Sequence, residues 1–123
     1  MQIQLEAHET HTIQAYNDTE IKVNDVSYNT SFIVSRDSLI SPWAIQDAAK
    51  LNQDLLQPIL DLNPEIIILG THTPGALQRL DVVRQLCEKH IGIECMRLDA
   101  AARTFNILLS EHRRVVAGFI FGI

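Results

Sequence analysis

Residues 65–71 read Glu65-Ile66-Ile67-Ile68-Leu69-Gly70-Thr71, and this stretch decides the fold. An unbroken apolar run of strand length has no wet face. It belongs to a strand buried on both sides, in the middle of a sheet covered by helices. Downstream, Leu77, Leu80, Val83, Cys87 and Ile91 recur at helical spacing, with Arg84 and Glu88 an i,i+4 pair on the wet side. Gly92 suits the stop of that helix. Ile93 to Arg97 returns to strand. Asp99 is placed to cap a helix running through Ser110, which turns Ala101, Phe105, Leu108 and Leu109 inward. Val115 to Phe121 is a last apolar strand. Strand–helix–strand–helix–strand predicts helices laid on a parallel or mixed sheet. Ile67, Leu69, Phe105 and Leu108 are its expected core.

Upstream the period changes. Ile3 and Leu5, Ile13 and Ala15, and Ile21 and Val23 alternate with polar neighbours, and Ser31 to Ser35 forms a fourth apolar segment. Period-two alternation means strands with one wet face. Asn17-Asp18, Asn24-Asp25 and Arg36-Asp37-Ser38 supply the turns. The first third therefore predicts an antiparallel sheet of short strands. After Pro42-Trp43 the pattern becomes helical, with Leu55, Leu56, Ile59, Leu60 and Leu62 as its apolar set. Pro58 interrupts it, and an interior proline costs a helix about 3 kcal/mol. Two short turns are expected, with Pro58 near the start of the second. Asn63-Pro64 closes the segment.

The whole describes a layered α/β single domain over residues 1–123: a mixed sheet with helices packed on it, plus an antiparallel N-terminal strand region. At 123 residues, 46% hydrophobic and 20% charged, the chain can build a real core. Its net charge of −5 disfavours nucleic acid as a partner. The charge is uneven: residues 1–62 carry nine acids and three bases, residues 63–123 six acids and seven bases. Arg97, Arg103, Arg113 and Arg114 fall close together and suit an anion or an acidic partner. No apolar run reaches the ~20 residues of a membrane span. Met1 to Glu6 has neither a basic nor a long apolar leader segment, so a cytoplasmic chain is expected. In that compartment Cys87 and Cys95 are free thiols, read here as small buried hydrophobes.

Two stretches could carry function. Gly70-Thr71-His72-Thr73-Pro74-Gly75 follows the buried strand and leads into a helix. Such a loop lies where α/β proteins bind ligands, and a helix N-terminus offers free N–H groups there. His72 could serve as acid, base or anion donor. The plainer alternative is a tight turn with surface hydroxyls. The second stretch is Asp99, Arg103, Asn106 and Ser110, which share one face of the last helix. Arg with Asn on a stripe suits recognition, and a solvated face is the plainer alternative. His8 and His11 stand at i and i+3 beside strand segments, so they point to opposite faces and do not suit zinc. Phosphate-loop, nucleophile-elbow and paired-cysteine motifs are missing, so no metal, cofactor or catalytic residue is expected.

Several segments carry a resemblance. Ile66-Ile67-Ile68-Leu69-Gly70-Thr71, Ile93-Glu94-Cys95-Met96 and the block Ala101 to Val115 (AARTFNILLSEHRRV) resemble the Mth-like family of small domains of unknown function. That family includes the mitochondrial respiratory complex I assembly factor three and the adipogenesis-associated Mth-like protein. Tyr28, Ser31 and Trp43 match its Tyr-x-x-Ser … Trp arrangement. The resemblance implies a layered mixed-sheet fold and no established enzymatic activity. Family members often carry Gly-Thr-Gly where this chain has Gly70-Thr71-His72, and Glu-Gly-Arg where it has Glu111-His112-Arg113. Histidine is among the non-glycine residues that tolerate positive φ. The combined expectation is a binding or assembly module for a protein partner, with a homo-oligomer also open. Its surface would be Gly70, Thr71, His72 and Thr73 with Arg103, Asn106 and Ser110. The alternative is a small-molecule or anion site, or a weak hydrolase using His72, in the 70–75 loop.

Overall fold

The computed structural model describes residues 10–76 and 80–122. The strand expected at Ile3–Leu5, His8, Leu77 and the Leu80 side chain lie outside the described residues. Among the described residues two sheets are present. Strands β1 (Ile13–Tyr16), β2 (Ile21–Val23) and β3 (Val26–Tyr28) form a small antiparallel sheet in sequence order. The larger sheet has β4 (Phe32–Ser35), β5 (Leu39–Ile40), β6 (Ile66–Thr71), β7 (Gly92–Arg97) and β8 (Val115–Phe119), in the order β5-β4-β8-β6-β7. Within it β6 runs parallel to both neighbours, β7 and β8, while β4 runs antiparallel to β8 and to β5. The mixed sheet is thus as expected. The segment Ser31–Ser35 is a correction: it joins the larger sheet, not the N-terminal one.

Alternation along β6 builds two cores. Ile68 faces one side with Phe32, Val34, Ala117 and Phe119, against helix α3 (Leu98–Ser110) and the small sheet. Ile67 and Leu69 face the other with Ile33, Val116, Trp43 and helices α1 (Gln53–Leu60) and α2 (Leu80–Glu88). Gly70 lets α3 lie close on β6. A Cβ there would stand 2.8 Å from the Ala101 Cβ and 2.9 Å from the Phe119 ring. Gly118 does the same for Trp43, whose ring would be 2.6 Å from an added Cβ.

The helices depart from expectation in instructive ways. Helix α1 is one helix, with Asn52 capping it through Leu55 N–H at 2.9 Å and Pro58 inside it. Complete burial of Leu56 and Ile59 offsets the bond that Pro58 cannot make. On α2 the buried residues are Val82 and Leu86, and Val83 is half-buried. The face is turned by one position from the expected stripe, so Cys87 is exposed and Cys95 half-buried. Burial raises the Cys95 thiol pKa. Ile67, Leu69 and Phe105 are fully buried as expected, but Leu108 is only half-buried and Leu109 takes the inner place. Asp99 sits in the first turn of α3, while Arg97 is the N-cap residue.

Gly92 does not stop α2, since it lacks a positive φ and opens β7. His90, with φ 61°, does so instead. Its N–H bonds Cys87 O at 3.0 Å and Ile91 N–H bonds Leu86 O at 2.9 Å. Helix α3 ends the same way on His112, also at φ 61°, with His112 N–H on Leu109 O at 2.9 Å and Arg113 N–H on Leu108 O at 3.0 Å. Both are paired-bond helix stops of the kind usually built on glycine.

Candidate functional site

Strand β1 and the turn after it gather the residues singled out from the sequence. Asn106, half-buried on α3, donates from Nδ2 to Ile13 O at 2.8 Å and accepts Ile13 N–H on Oδ1 at 3.0 Å. Three residues earlier on the helix, Arg103 Nη1 donates to the Tyr16 hydroxyl at 3.3 Å. It also lies 3.8 Å from Asp99 Oδ2, and Asp99 Oδ1 stands 3.9 Å from Arg97 Nε. Tyr16 first, and then Asp99, raise the Arg103 pKa. The third piece is His72. Its Nε2 meets Asp18 O, in the β1–β2 turn, at 2.6 Å. Ser110 stays outside this seam and donates to Ile107 O of its own helix at 2.6 Å. The stripe is therefore a joint between α3 and the small sheet, with the Arg103 side chain still 56% exposed beside a 39% exposed Tyr16.

The 70–75 loop has a divided character. Gly70 and Thr71 are buried, and Gly70 O accepts Ile120 N–H at 2.8 Å. The space above Gly70 is taken by Ala101 and Phe119. Thr71 Oγ1 accepts Thr73 N–H at 3.4 Å. His72 and Thr73 are exposed, and the His72 ring stands edge-on to Phe121 with centroids 6.2 Å apart.

Next to Phe121 lies a cleft of about 390 Å³ that the sequence reading did not single out as a site. Its walls are Asn29–Ser31, Pro42–Gln46 and Phe121–Gly122. It sits past the carboxyl ends of β6 and β8, the edge where α/β sheets take ligands. Ser31 and Trp43 were legible only as part of the Tyr-x-x-Ser … Trp arrangement. The structure brings them together: Trp43 N–H bonds Ser31 O at 2.8 Å, and Trp43 Nε1 bonds Leu55 O at 2.9 Å. The opposite edge carries a cleft of about 200 Å³ holding Arg36, His112, Arg113 and Arg114. Its arginines are held by an ion pair or by backbone carbonyls, Arg114 Nε donating to Asn63 O at 3.2 Å. Glu65 accepts Arg114 N–H at 2.8 Å and pairs with Arg113 Nε at 3.2 Å, and Arg36 donates to Leu109 O at 2.9 Å. The Arg114 N–H, followed by Arg113, lowers the Glu65 pKa. Among the described residues, no group of three or more His, Cys, Asp or Glu side chains is placed to hold a metal ion.

Residues 13–120 match the family described as protein of unknown function (DUF498/DUF598). The chain is 31% identical over 94 residues to the 13 kDa major membrane protein of Francisella tularensis, covering 76% of each. It is 28% identical over 101 residues to the NADH dehydrogenase [ubiquinone] 1 alpha subcomplex assembly factor 3 of Xenopus tropicalis. That match takes in 72% of this chain and 55% of the assembly factor. A solution structure from Bordetella pertussis, an Mth938-like domain, superposes with a TM-score of 0.76 at 29% identity, covering 89% of this chain and 85% of that one. The resemblance read from the sequence is thereby shown. Among the described residues, no helix is long and apolar enough to cross a membrane.

Proposed function

Because the chain belongs to the DUF498/DUF598 family of proteins of unknown function, we infer that it works as a binding module supporting the assembly of a multi-subunit complex. The observation that carries this reading is the held but open Arg103. Tyr16 and Asp99 fix its guanidinium while more than half of the side chain stays exposed. A pre-ordered arginine beside a tyrosine loses little freedom on docking, and these two residue types dominate the energetics of protein interfaces. Exposed Ile107 on the same helix adds apolar area. The exposed His72 and Thr73 border the same small sheet and extend the surface. The likeness to an assembly factor from Xenopus supports the same direction.

The partner is a protein with an acidic contact for Arg103, and the working location is the cytoplasm. The name of the Francisella relative makes membrane fractions the place to look for the opposite result. The test is a paired measurement on Tyr16→Ala and Arg103→Ala. Each variant should melt close to the parent and fail to recover the proteins that co-purify with the parent from its own source. Variants that retain every partner would remove this surface from consideration. Fractionation of the same cells tests the location.

A further inference from the structure

We propose that the cleft between Ser31, Trp43 and Phe121 binds an uncharged small molecule that offers a carbonyl acceptor on an apolar body. This site is separate from the Arg103 surface and does not depend on it.

Three observations carry the assignment. The cleft has the volume of a small-ligand site, about 390 Å³, and lies past the carboxyl ends of the parallel strands β6 and β8. One of its lining residues carries a hydroxyl with capacity to spare. Ser31 is 4% exposed and its Oγ accepts Phe121 N–H at 2.9 Å, yet among the described residues its own proton has no protein acceptor. A buried donor left unmet costs free energy that a ligand acceptor would recover. The lining is also selective. Exposed Pro42 and Ala44 and the edges of the buried Trp43, Ile45 and Phe121 provide apolar surface, Asn29 and Gln46 provide amides, and no described lining residue is ionisable. An ionised ligand would give up hydration there without a counter-charge.

The rigidity of the walls supports binding without large rearrangement. Trp43 is pinned by its indole N–H on Leu55 O and by its ring against Gly118. The backbone of Ser31 is fixed by Trp43 N–H. The bound group would accept from Ser31 Oγ, and its own N–H, where it has one, would be met by the Asn29 or Gln46 amide oxygen.

The test uses three probes of one shape: benzamide, benzoate and benzylamine. Each is titrated into isotopically labelled protein while backbone amide resonances are followed. Benzamide should give saturable shifts centred on Thr30, Ser31, Trp43, Gln46 and Phe121. Benzoate and benzylammonium should bind at least about tenfold more weakly, the measure of one unmatched charge. Ser31→Ala should weaken benzamide about fivefold to tenfold. Ser31→Ala also removes the acceptor for Phe121 N–H, so Ala44→Phe serves as a second variant. Ala44 is exposed, and a ring there closes the cleft without touching the core. It should abolish the shifts. Equal binding of the charged probes, shifts centred elsewhere, or shifts that never saturate would each overturn the proposal.

Discussion

Asn106 holds the backbone of Ile13 through both its N–H and its C=O, across 93 residues of sequence. One amide meets one N–H and one C=O, so the orientation of the Asn106 side chain is forced by the pattern. These two bonds join the small sheet to α3. Replacing Asn106 with Ala leaves both Ile13 groups without their partner and should cost about 1–3 kcal/mol. Asn106→Asp keeps the acceptor and loses the donor, so it should also destabilise. Denaturant midpoints measure both. A midpoint unchanged in Asn106→Ala would show that the joint contributes nothing.

His90 and His112 both occupy left-handed backbone at a helix stop, each with φ 61°. A β-carbon is strained there, and glycine relieves the strain at some cost in unfolded-chain entropy. His90→Gly and His112→Gly should therefore each raise stability by about 0.5–1 kcal/mol. Thermal melts read the effect directly. A lower melting temperature for both variants would refute the account of these helix ends.

Gly118 faces the Trp43 ring at a distance that leaves no room for a methyl group. Gly118→Ala pushes the indole away from the sheet, with an expected cost of about 1–3 kcal/mol. Intrinsic fluorescence of the single tryptophan should shift at the same time, because the ring is 95% buried in the parent. A variant with parental stability and an unmoved emission maximum would contradict the packing.

Glu65 is held below the ordinary carboxylate pKa by the Arg114 N–H and then by Arg113. A lowered folded-state pKa adds stability above the unfolded value, and that stability is lost as pH falls through the folded one. The parent should therefore exceed Glu65→Gln in melting temperature at neutral pH. The gap should close between about pH 5 and about pH 3. High salt should shrink it at every pH, since the carboxylate is partly exposed. A gap that widens on acidification would mean that the sign of the coupling is wrong.

Where the sequence was legible, one local pattern sufficed. The run from Ile66 to Leu69 announced a strand buried on both faces, because a single period is readable without knowing its partners. His112 was legible for a different reason: the family's glycine at that place pointed to a backbone that only a few residues tolerate. Other features depended on distance in space. Ser31 to Ser35 is a short apolar run, and nothing in its pattern says which sheet the strand will join. Val26-Ser27-Tyr28 is a strand too short to show a period. The face of α2 was misread by one position, since Val83 and Cys87 fit a helical stripe as well as Val82 and Leu86 do. The task of Asn106 was hidden completely, as its partner Ile13 is 93 residues away. The cleft at Ser31 and Trp43 was visible only as a motif, with no hint that Phe121 would form its third wall.

Among the described residues the two sheets share no ladder, and one backbone bond, His11 N–H to Arg36 O at 3.0 Å, links their margins. Ile13, Ile21 and Val23 belong to the same core as Phe105, yet the small sheet reaches α3 through side chains alone. The small sheet is therefore expected to open as one cooperative unit. Opening of that unit with β4, β8, β6 and β7 still paired would bare one flank of α3. Native-state hydrogen exchange would register this as a lower opening free energy for amides of β2 than for those of β6 and β8. Asn106→Ala should widen that difference by loosening the small sheet alone, leaving the slowest protons of β6 tied to global unfolding.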